Sequence, residues 1–400
     1  MTGVELLAVA AATLGSVGLL ERLVHQRRLG AIPTRVHVSG TRGKSSVTRL
    51  IAAGLRAAGV RTVAKTTGTL PRMILHDGRE VPVFRPSGAN IIEQTRIVAA
   101  ARSLEAEALV MECMALQPDL HWVSENKLVR ATHGVITNAR PDHLDVMGPT
   151  EVDVALALAG MIPVRGTLIT AERRHLDVLR RAAEDRHTRL VAVGEREVAS
   201  VTDAELAPFS YVEHRENVAL ALRVLAELGI ERSTGLEGMH QASPDPGALF
   251  EYDVDFFGRR IVFVNGFAAN DPQSTATVWQ MATARHSELR RVVAVFNLRA
   301  DRPIRTVQLA RDSTFWHDAD HVVLMGSGAY HFARAASRTG VPSGRFVYAE
   351  NLPVEEVFET IVGLCGRNTL VIGLANIGGP GLKLVRYFRH RRRLAPGEED

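Results

Sequence analysis

Short runs of β-branched and apolar residues alternate with longer stretches of helical periodicity along most of this chain. In the first part, the runs predicted to be strands are TRVHVSG, RTVAKTTG, EALVMEC, THGVITNA, TLITAE and RLVAVG. The stretches KSSVTRLIAAGLRAAG and RENVALALRVLAELGI have the spacing of helices. Strands that alternate with helices indicate a largely parallel sheet covered by helices.

A second alternating series follows a stretch without hydrophobic period. Residues 231–248 are rich in Gly, Ser and Pro, which predicts a linker. The later predicted strands are RRIVFVNGF, RRVVAVFNL, HVVLMG, GRFVYAE and TLVIGLANIG. We therefore expect an α/β protein with a parallel-sheet domain at 31–240 and a smaller Rossmann-like domain at 249–385. Residues 386–400 are expected to form a basic tail that is either solvated or binds a polyanion or acidic lipid.

The N-terminal segment has a different pattern. From Val4 to Leu20 the chain is apolar apart from Glu5 and small polar residues, and the basic pair Arg27-Arg28 follows. This stretch is barely long enough to span a bilayer. A signal peptide has its basic residues before the apolar core, so the order here favours a membrane-associated helix over residues 1–30. The alternative is a core helix of the folded domain.

Charge and cysteine content narrow the class of protein further. The 48 Lys and Arg residues and 44 Asp and Glu residues leave a formal charge of +4, so a nucleic-acid partner is not expected. The two cysteines, Cys113 and Cys365, lack the spacing of a zinc site and suit a reducing compartment.

The segment HVSGTRGKSSVTRL, residues 37–50, resembles a phosphate-binding loop. The usual pattern G-x-x-x-x-G-K-[ST] would place a glycine where Val38 stands, so the loop is the shorter turn from Gly40 to Ser45. It follows a strand and opens a helix, whose N-terminal end favours phosphate. We expect Lys44 to reach the β- and γ-phosphates of ATP and Ser45 to coordinate Mg²⁺. The first domain is thus predicted to be a P-loop-type ATPase domain.

Polar residues also follow two other predicted strands. Glu112 ends one of them, and Asn138, Asp142, His143 and Asp145 lie just beyond another. Because the carboxyl ends of parallel strands share one edge of the sheet, these side chains are expected near the phosphate loop. A strand-end acid is a common Mg²⁺ ligand, and a histidine can complete the shell or contact phosphate. Each feature alone is also compatible with a helix cap or a turn.

Taken in order, GTRGKS, the strand-end Glu112 and TNARPDHLDVMG resemble the Mur ligase family of ATP-dependent amide ligases. The segments VNGFAANDPQST, VAVFNLRADRP and YVEHRENVALALRVLAELGI also resemble family segments. The resemblance, over about residues 34–380, implies catalytic roles for Lys44, Glu112 and His143. It implies that Mg²⁺ is held by Ser45, Glu112 and His143. The residues implied in nucleotide binding are Gly40, Thr41, Arg42, Gly43, Lys44, Ser45, Ser46, Asn138, Asn270 and Asp301.

Within this family the chain is most similar to ligases of the capsule-type poly-γ-glutamate synthases. The apolar N-terminal helix, the KTTGT segment and the absence of a preceding domain for a UDP-linked substrate all agree with that type. The resemblance implies a glutamate and a poly-γ-glutamate chain as substrates, small membrane subunits as partners and a place at the cytoplasmic face of the bacterial membrane. It leaves a homo-oligomer open.

Two positions depart from the family pattern. Leu158 stands where folylpolyglutamate synthetases carry a modified lysine that holds a second metal, and Ala248 and Leu249 stand where an arginine is expected. Arg42, Arg72, Arg85 and Arg140 are candidates for binding substrate carboxylates. The alternatives are a folylpolyglutamate-synthetase-like ligase for another acid, a P-loop ATPase that drives a membrane partner, and a scaffold with a vestigial nucleotide site.

Overall fold

The computed structural model separates the chain into two compact units, Met1–Ser243 and Pro244–Asp400. It describes residues 2–68, 70–85, 88–245, 247–312 and 314–393, without the side chain of Asp145. Thr69 of the KTTGT segment and the end of the predicted tail, 394–400, lie outside the described residues.

The first unit is built on an eight-stranded sheet whose order is β4-β3-β2-β5-β1-β6-β7-β8. Six of these strands are parallel, and β3 and β4 form an antiparallel extension at one edge. The strands are β1 Thr34–Ser39, β2 Thr62–Thr66, β3 Arg72–Ile74, β4 Glu80–Pro82, β5 Ala108–Glu112, β6 His133–Ile136, β7 Thr167–Thr170 and β8 Arg189–Ala192. The sequence runs predicted as strands here are confirmed, whereas the short β3 and β4 were not predicted, since three residues carry too little periodicity.

Helices cover both faces of this sheet. They are α1 Gly3–Gly30, α2 Lys44–Ala57, α3 Glu93–Ser103, α4 Pro118–Val123, α5 Leu144–Met147, α6 Glu151–Ala159, α7 Leu176–Asp185, α8 Glu195–Ala199, α9 Asp203–Leu206, α10 Arg215–Glu227 and α11 Arg232–His240. A π-helical turn, Ser124–Val129, extends α4. The main apolar core lies between β1 and its neighbours and the helices α2, α10 and α11.

Helix α1 is long and apolar enough to span a membrane, with a mean hydropathy of 1.8 over its most apolar 18 residues. Those residues are not buried in the protein, so the alternative of a core helix is wrong. Only the C-terminal end of α1 enters the folded unit, where Leu29 is buried in a small cluster with Ile32, Val98 and Leu109.

The second unit contains a six-stranded sheet in the order β13-β12-β11-β14-β10-β9. All its strands are parallel except β9, which pairs antiparallel with β10. The elements are β9 Glu251–Phe256, β10 Arg259–Asn265, α12 Pro272–Arg285, β11 Arg291–Leu298, α13 Pro303–Arg311, β12 His321–Gly326, α14 Ala329–Ser337, a 3₁₀ turn Ser343–Arg345, β13 Phe346–Glu350, α15 Val354–Leu364, β14 Asn368–Ala375 and α16 Pro380–Arg389. Aromatic rings fill its core, and those of Phe263 and Phe388 stack with their centroids 4.0 Å apart.

Two predictions about chain segments are wrong in part. The first half of the predicted linker, residues 231–248, forms helix α11, whose Leu236 and Met239 are buried. Its glycines and serines hid the hydrophobic period, but packing on α2 stabilises the helix. The predicted tail begins inside α16, which continues to Arg389 and buries Phe388.

Candidate active site

The loop between β1 and α2 is a tight turn that depends on glycine at two positions. Gly43, the residue before α2, has φ +78°, and a Cβ there would lie 2.5 Å from Oδ1 of Asn217. Gly40 has φ +132°, and a Cβ there would overlap Oγ1 of Thr137. Val38 is fully buried in β1, which explains why no glycine is needed at that position. The turn therefore presents backbone N–H groups at the N-terminal end of α2, where an anion is favoured.

Asn138, which follows β6, holds this loop in place. Its Oδ1 accepts hydrogen bonds from the Thr41 hydroxyl at 2.7 Å and from the Arg42 N–H at 3.1 Å. Its Nδ2 donates to the Arg42 carbonyl at 3.2 Å, and its own carbonyl accepts from the Thr41 N–H at 3.0 Å. The structure thus makes Asn138 and Thr41 braces of the loop, while their predicted contacts with nucleotide stay predictions.

Lys44 folds back over the same loop. Its Nζ donates to the carbonyl of Gly40 at 2.8 Å and lies 3.4 Å from that of Thr41. The ammonium group therefore lies over the Gly40–Ser45 turn, and its contact with the β- and γ-phosphates stays a prediction.

Ser45 and Glu112 form an oxygen-rich pair beside the loop. The Ser45 hydroxyl donates to Oε2 of Glu112 at 2.8 Å, and the backbone N–H of Thr67 donates to the same oxygen at 2.7 Å. Glu112 is 2% exposed and lies opposite Val38 in the sheet. A hydroxyl and one carboxylate beside a phosphate cradle fit Mg²⁺, which takes its other ligands from phosphates and water.

His143 lies next to a second acid. It has a left-handed backbone, φ +46°, and its Nε2 lies 3.9 Å from Oδ1 of Asp142. Asp142 in turn forms an ion pair with Arg42 at 2.6 Å. Burial would raise the pKa of Asp142, but Arg42 outweighs it and holds that pKa below its ordinary value. Among the described residues no cluster of three His, Cys, Asp or Glu side chains is arranged to hold a metal, so His143 as a metal ligand stays a prediction.

A buried ion network next to Glu112 was missed by the sequence analysis. Lys65, at the carboxyl end of β2, is fully buried and forms an ion pair with Glu93 at 2.6 Å. Arg85 binds the same carboxylate through two nitrogens at 2.6 and 2.8 Å. Burial lowers the pKa of Lys65, although the carboxylate of Glu93 opposes this effect. For Glu93 the balance is reversed, because Arg85 and Lys65 outweigh burial and lower the pKa of its carboxyl group. The KTTGT segment contains Lys65, but nothing in its pattern indicated the partner.

A second buried polar group lies under the same edge of the sheet. Nδ1 of His37, on β1, lies 2.8 Å from Oε2 of Glu125, and Sγ of Cys113 lies 3.6 Å from Nδ1 of His121. Burial opposes the charge on His37, but Cys113 and Glu125 raise its pKa to about 9. Burial also opposes the Cys113 thiolate, yet His121 and His37 hold the pKa of that thiol well below its ordinary value. Cys113, His121 and Glu125 lie within thirteen residues of one another, but His37 precedes them by 76 to 88 positions, so no local motif predicted the cluster.

The other predicted positions are distributed between the two units. Arg140 lies 3.5 Å from Glu216, and Leu158 is fully buried in an apolar cluster around α6. The latter position therefore offers no metal ligand.

In the second unit, Asp301 forms an ion pair with Arg299 at 2.6 Å. Asn270 has a buried Oδ1 that has no hydrogen-bond partner in the described part of the chain. Contacts of Asn270 and Asp301 with nucleotide stay predictions.

The second unit has a crevice of about 620 Å³ at the carboxyl ends of its strands. It lies at the neighbouring strands β11 and β14, from which the chain continues in different directions across the sheet. Ligands usually bind at such a point in parallel sheets. Asn297 is 1% exposed and donates through Nδ2 to the carbonyls of Asn376 at 2.5 Å and Gly378 at 2.9 Å. The lining includes Arg299 and the glycine turn Gly378-Gly379, which precedes α16.

Comparisons with known proteins identify the family of each unit. Residues 38–243 match the model of the Mur ligase middle domain, and residues 251–391 match that of the poly-gamma-glutamate synthase CapB C-terminal domain. The capsule biosynthesis protein CapB of Bacillus anthracis is 39% identical over 371 residues, which are 92% of this chain and 79% of that protein. The PGA synthase CapB of Bacillus subtilis (strain 168) is 35% identical over 382 residues, 95% of this chain and 96% of that one.

A solved structure supports the fold alone. The structure of E. coli FolC in complex with DHPP and ADP covers 93% of both chains with a TM-score of 0.67 and 17% sequence identity.

Proposed function

The chain belongs to the CapB family of poly-γ-glutamate synthases, which has a Mur ligase middle domain, and we propose how its two units divide the ligase reaction. The chain is an ATP-dependent amide ligase that joins glutamate to a γ-linked glutamate chain. Its Mur ligase region and its CapB C-terminal region follow each other in the chain, as they would in a two-unit ligase.

The first half of the reaction takes place at the first unit. A terminal carboxylate of the growing chain attacks the γ-phosphate of ATP, which forms an acyl phosphate and releases ADP. The observation that carries this assignment is the Gly40–Ser45 turn, with Lys44 folded over it and Ser45 hydrogen-bonded to Glu112. Phosphoryl transfer needs mainly positioning and neutralisation of charge, which backbone amides and an ammonium group provide.

Ser45 and Glu112 would hold the divalent metal. When bound there, Mg²⁺ would neutralise charge on the β- and γ-phosphates. Glu112 already accepts two hydrogen bonds at fixed positions, from the Ser45 hydroxyl and the Thr67 N–H. The carboxylate is therefore oriented before any ligand arrives, which lowers the cost of organising the site.

The second half of the reaction joins the incoming glutamate. We assign this glutamate to the crevice of the second unit, since Arg299 and the N-terminal end of α16 favour its carboxylates. Its amine, after losing a proton, attacks the acyl phosphate carbonyl. The tetrahedral intermediate then expels phosphate and leaves the amide.

The decisive experiment is a coupled assay on the full chain. Purified protein is given ATP, Mg²⁺, glutamate and a short γ-linked glutamate acceptor, and both ADP and the amide product are measured. We expect ADP release that depends on glutamate and matches the amide formed in amount. ADP release that is independent of glutamate, with no amide, would contradict the ligase assignment and favour a P-loop ATPase that drives a membrane partner.

We also propose that α1 anchors the enzyme to the cytoplasmic face of the cell membrane, near the small membrane subunits that export the polymer. Support comes from the length of α1, its mean hydropathy of 1.8 and its exposure outside the folded unit. Flotation of the full chain with vesicles tests this directly. Removal of residues 2–23 should abolish the flotation.

A further inference from the structure

Helix α1 leaves the first unit at the amino edge of the sheet, opposite the nucleotide loop. Leu29, near its end, is 3% exposed, and the carbonyl of that residue accepts a hydrogen bond from Nη1 of Arg35 at 3.1 Å. Nε2 of His25 lies 2.8 Å from the carbonyl of Leu128. These contacts fix the end of α1 to the unit, so a membrane around α1 lies against a defined face of the protein.

That face carries cations without acidic partners. Six exposed cations surround the base of α1, and we call them the amino-edge collar. They are Arg22, Arg27, Arg28, Arg102, Lys127 and Arg130. None of them forms an ion pair with an acid in the described residues, whereas neighbouring Arg61 pairs with Glu105 at 3.0 Å. Near the collar lie Glu21, on α1, and Glu105 and Glu107, which are both hydrogen-bonded to Arg61. Farther along the same edge of the sheet, Glu227 forms an ion pair with Arg189.

The elements bring these cations together from separate parts of the chain. Three of them lie on the last turns of α1, Arg102 lies in the last turn of α3, and Arg130 follows the π-helical turn that contains Lys127. Trp122, which is 44% exposed, lies beneath Lys127, with Nζ 5.0 Å from the ring. Unpaired cations with an adjacent exposed tryptophan, at the end of an apolar helix, are the composition of a membrane interface.

We propose that the amino-edge collar docks on anionic lipid headgroups, with the nucleotide site facing away from the bilayer. This inference rests on the proposed anchoring by α1. The apolar helix continues directly into the collar, which favours a bilayer over nucleic acid as the polyanion. The phosphate loop lies at the other end of β1, six residues or about 20 Å further from the membrane. ATP and glutamate therefore reach the site from the cytoplasm.

A pair of cysteine variants can measure this orientation. Ser103 and Gln117 are both exposed and lie before and after β5, at opposite edges of the sheet. The native cysteines are buried. The full-length S103C and Q117C variants are labelled with a fluorophore and placed in vesicles whose headgroups carry a nitroxide quencher. With phosphatidylglycerol in the vesicles, we expect quenching at position 103 to exceed that at position 117 by about threefold or more, since position 117 lies about 20 Å further from the headgroups along the strand direction.

Charge reversal then tests the headgroup contact itself. In S103C, the added changes R102E, K127E and R130E should reduce quenching at position 103 to the level seen at position 117. The matched control, R334E, R338E and K383E in the second unit, should leave it unchanged. Vesicles of phosphatidylcholine alone should give the same low quenching as the charge-reversed variant.

Three results would overturn the proposal. They are equal quenching at the two positions, quenching that does not depend on phosphatidylglycerol or on the collar charges, and loss of quenching on addition of RNA, which would indicate a nucleic-acid partner. Flotation and glutamate-dependent ADP release are measured in the same samples. If both persist while the quenching difference is absent, only this inference fails and the proposed function stands.

Discussion

The carboxyl edges of the two sheets differ in how far they are organised before a ligand binds. In the first unit the loop after β1 is held by several hydrogen bonds to Asn138, and Lys44 and Glu112 are already in place. In the second unit the corresponding edge is a crevice of about 620 Å³, and Arg299 and Asp301 are exposed and paired with each other.

The side chains buried beneath the two edges also differ in polarity. Under the first edge lie buried charges and polar groups, including His37, Lys65, Glu93 and Glu125. Under the second lie aromatic rings such as Phe263, Phe296 and Trp316. Buried ion pairs fix side-chain directions at a cost in desolvation, whereas an apolar core stabilises without directing polar groups. The difference agrees with our proposal of a preorganised phosphate site in the first unit and a more adaptable glutamate crevice in the second.

Among the changes that test this difference between the units, replacement of Lys44 should have the largest effect on activity. In the Lys44→Ala variant the proposed phosphate site loses the ammonium group that donates to the Gly40 carbonyl. We expect glutamate-dependent ADP formation to fall by about 10²–10³-fold, because a preorganised charge is removed from the transferred phosphate. Arg334→Ala, which removes an exposed arginine of the second unit, is the control. Full turnover by Lys44→Ala would mean that the loop does not bind the reacting phosphate.

The Glu125→Gln change tests whether the buried charges support the first edge. Cys113 and Glu125 together raise the pKa of His37 to about 9, so the charged imidazole stabilises fully below the unfolded value of 6.5 and loses its effect as pH rises through 9. We expect the variant to be roughly 3 kcal/mol less stable than the wild type at pH 6, with a smaller difference at pH 9.5. Denaturant titration of both proteins measures it. A difference that does not change with pH would show that the pair is not charged.

Glycine at position 43 is tested against a matched glycine. Gly43 and Gly59 have φ values of +78° and +80°, but only at Gly43 would a Cβ meet a neighbouring side chain. Both alanine variants should lose stability by about 1–2 kcal/mol through backbone strain. Only Gly43→Ala should also weaken ATP binding, by about tenfold, since the loop must shift away from Asn217. Calorimetric titration with ATP distinguishes them, and equal binding by both variants would contradict a rigid cradle.

The smallest effect is expected in the second unit. In Arg299→Ala the crevice loses an exposed guanidinium, and we expect the KM for glutamate to rise about fivefold with little change in the affinity for ATP. Steady-state kinetics with each substrate varied in turn measures both values, with Arg338→Ala as the control. If the change instead weakens ATP binding alone, the crevice belongs to the nucleotide rather than to glutamate.

Much of the fold could be predicted because its signals are local. Each strand shows its hydrophobic pattern within a few residues, and the motif of the turn from Gly40 to Ser45 consists of consecutive residues. The prediction failed where local patterns are weak. Helix α11 has one serine and two glycines in its first seven residues, and the packing of Leu236 and Met239 in the core stabilises it.

The sequence by itself determined the two α/β units, the apolar first helix and the residues of the phosphate loop. Only the tertiary structure decided which side chains meet across the sheet. Lys65 meets Glu93, His37 meets Glu125, and Thr41 meets Asn138, although 28, 88 and 97 positions separate these pairs along the chain. The physical reason is that strand order is set by burial of the whole sheet. The strand order, and not proximity in sequence, therefore decides which oppositely charged side chain lies next to a buried charge.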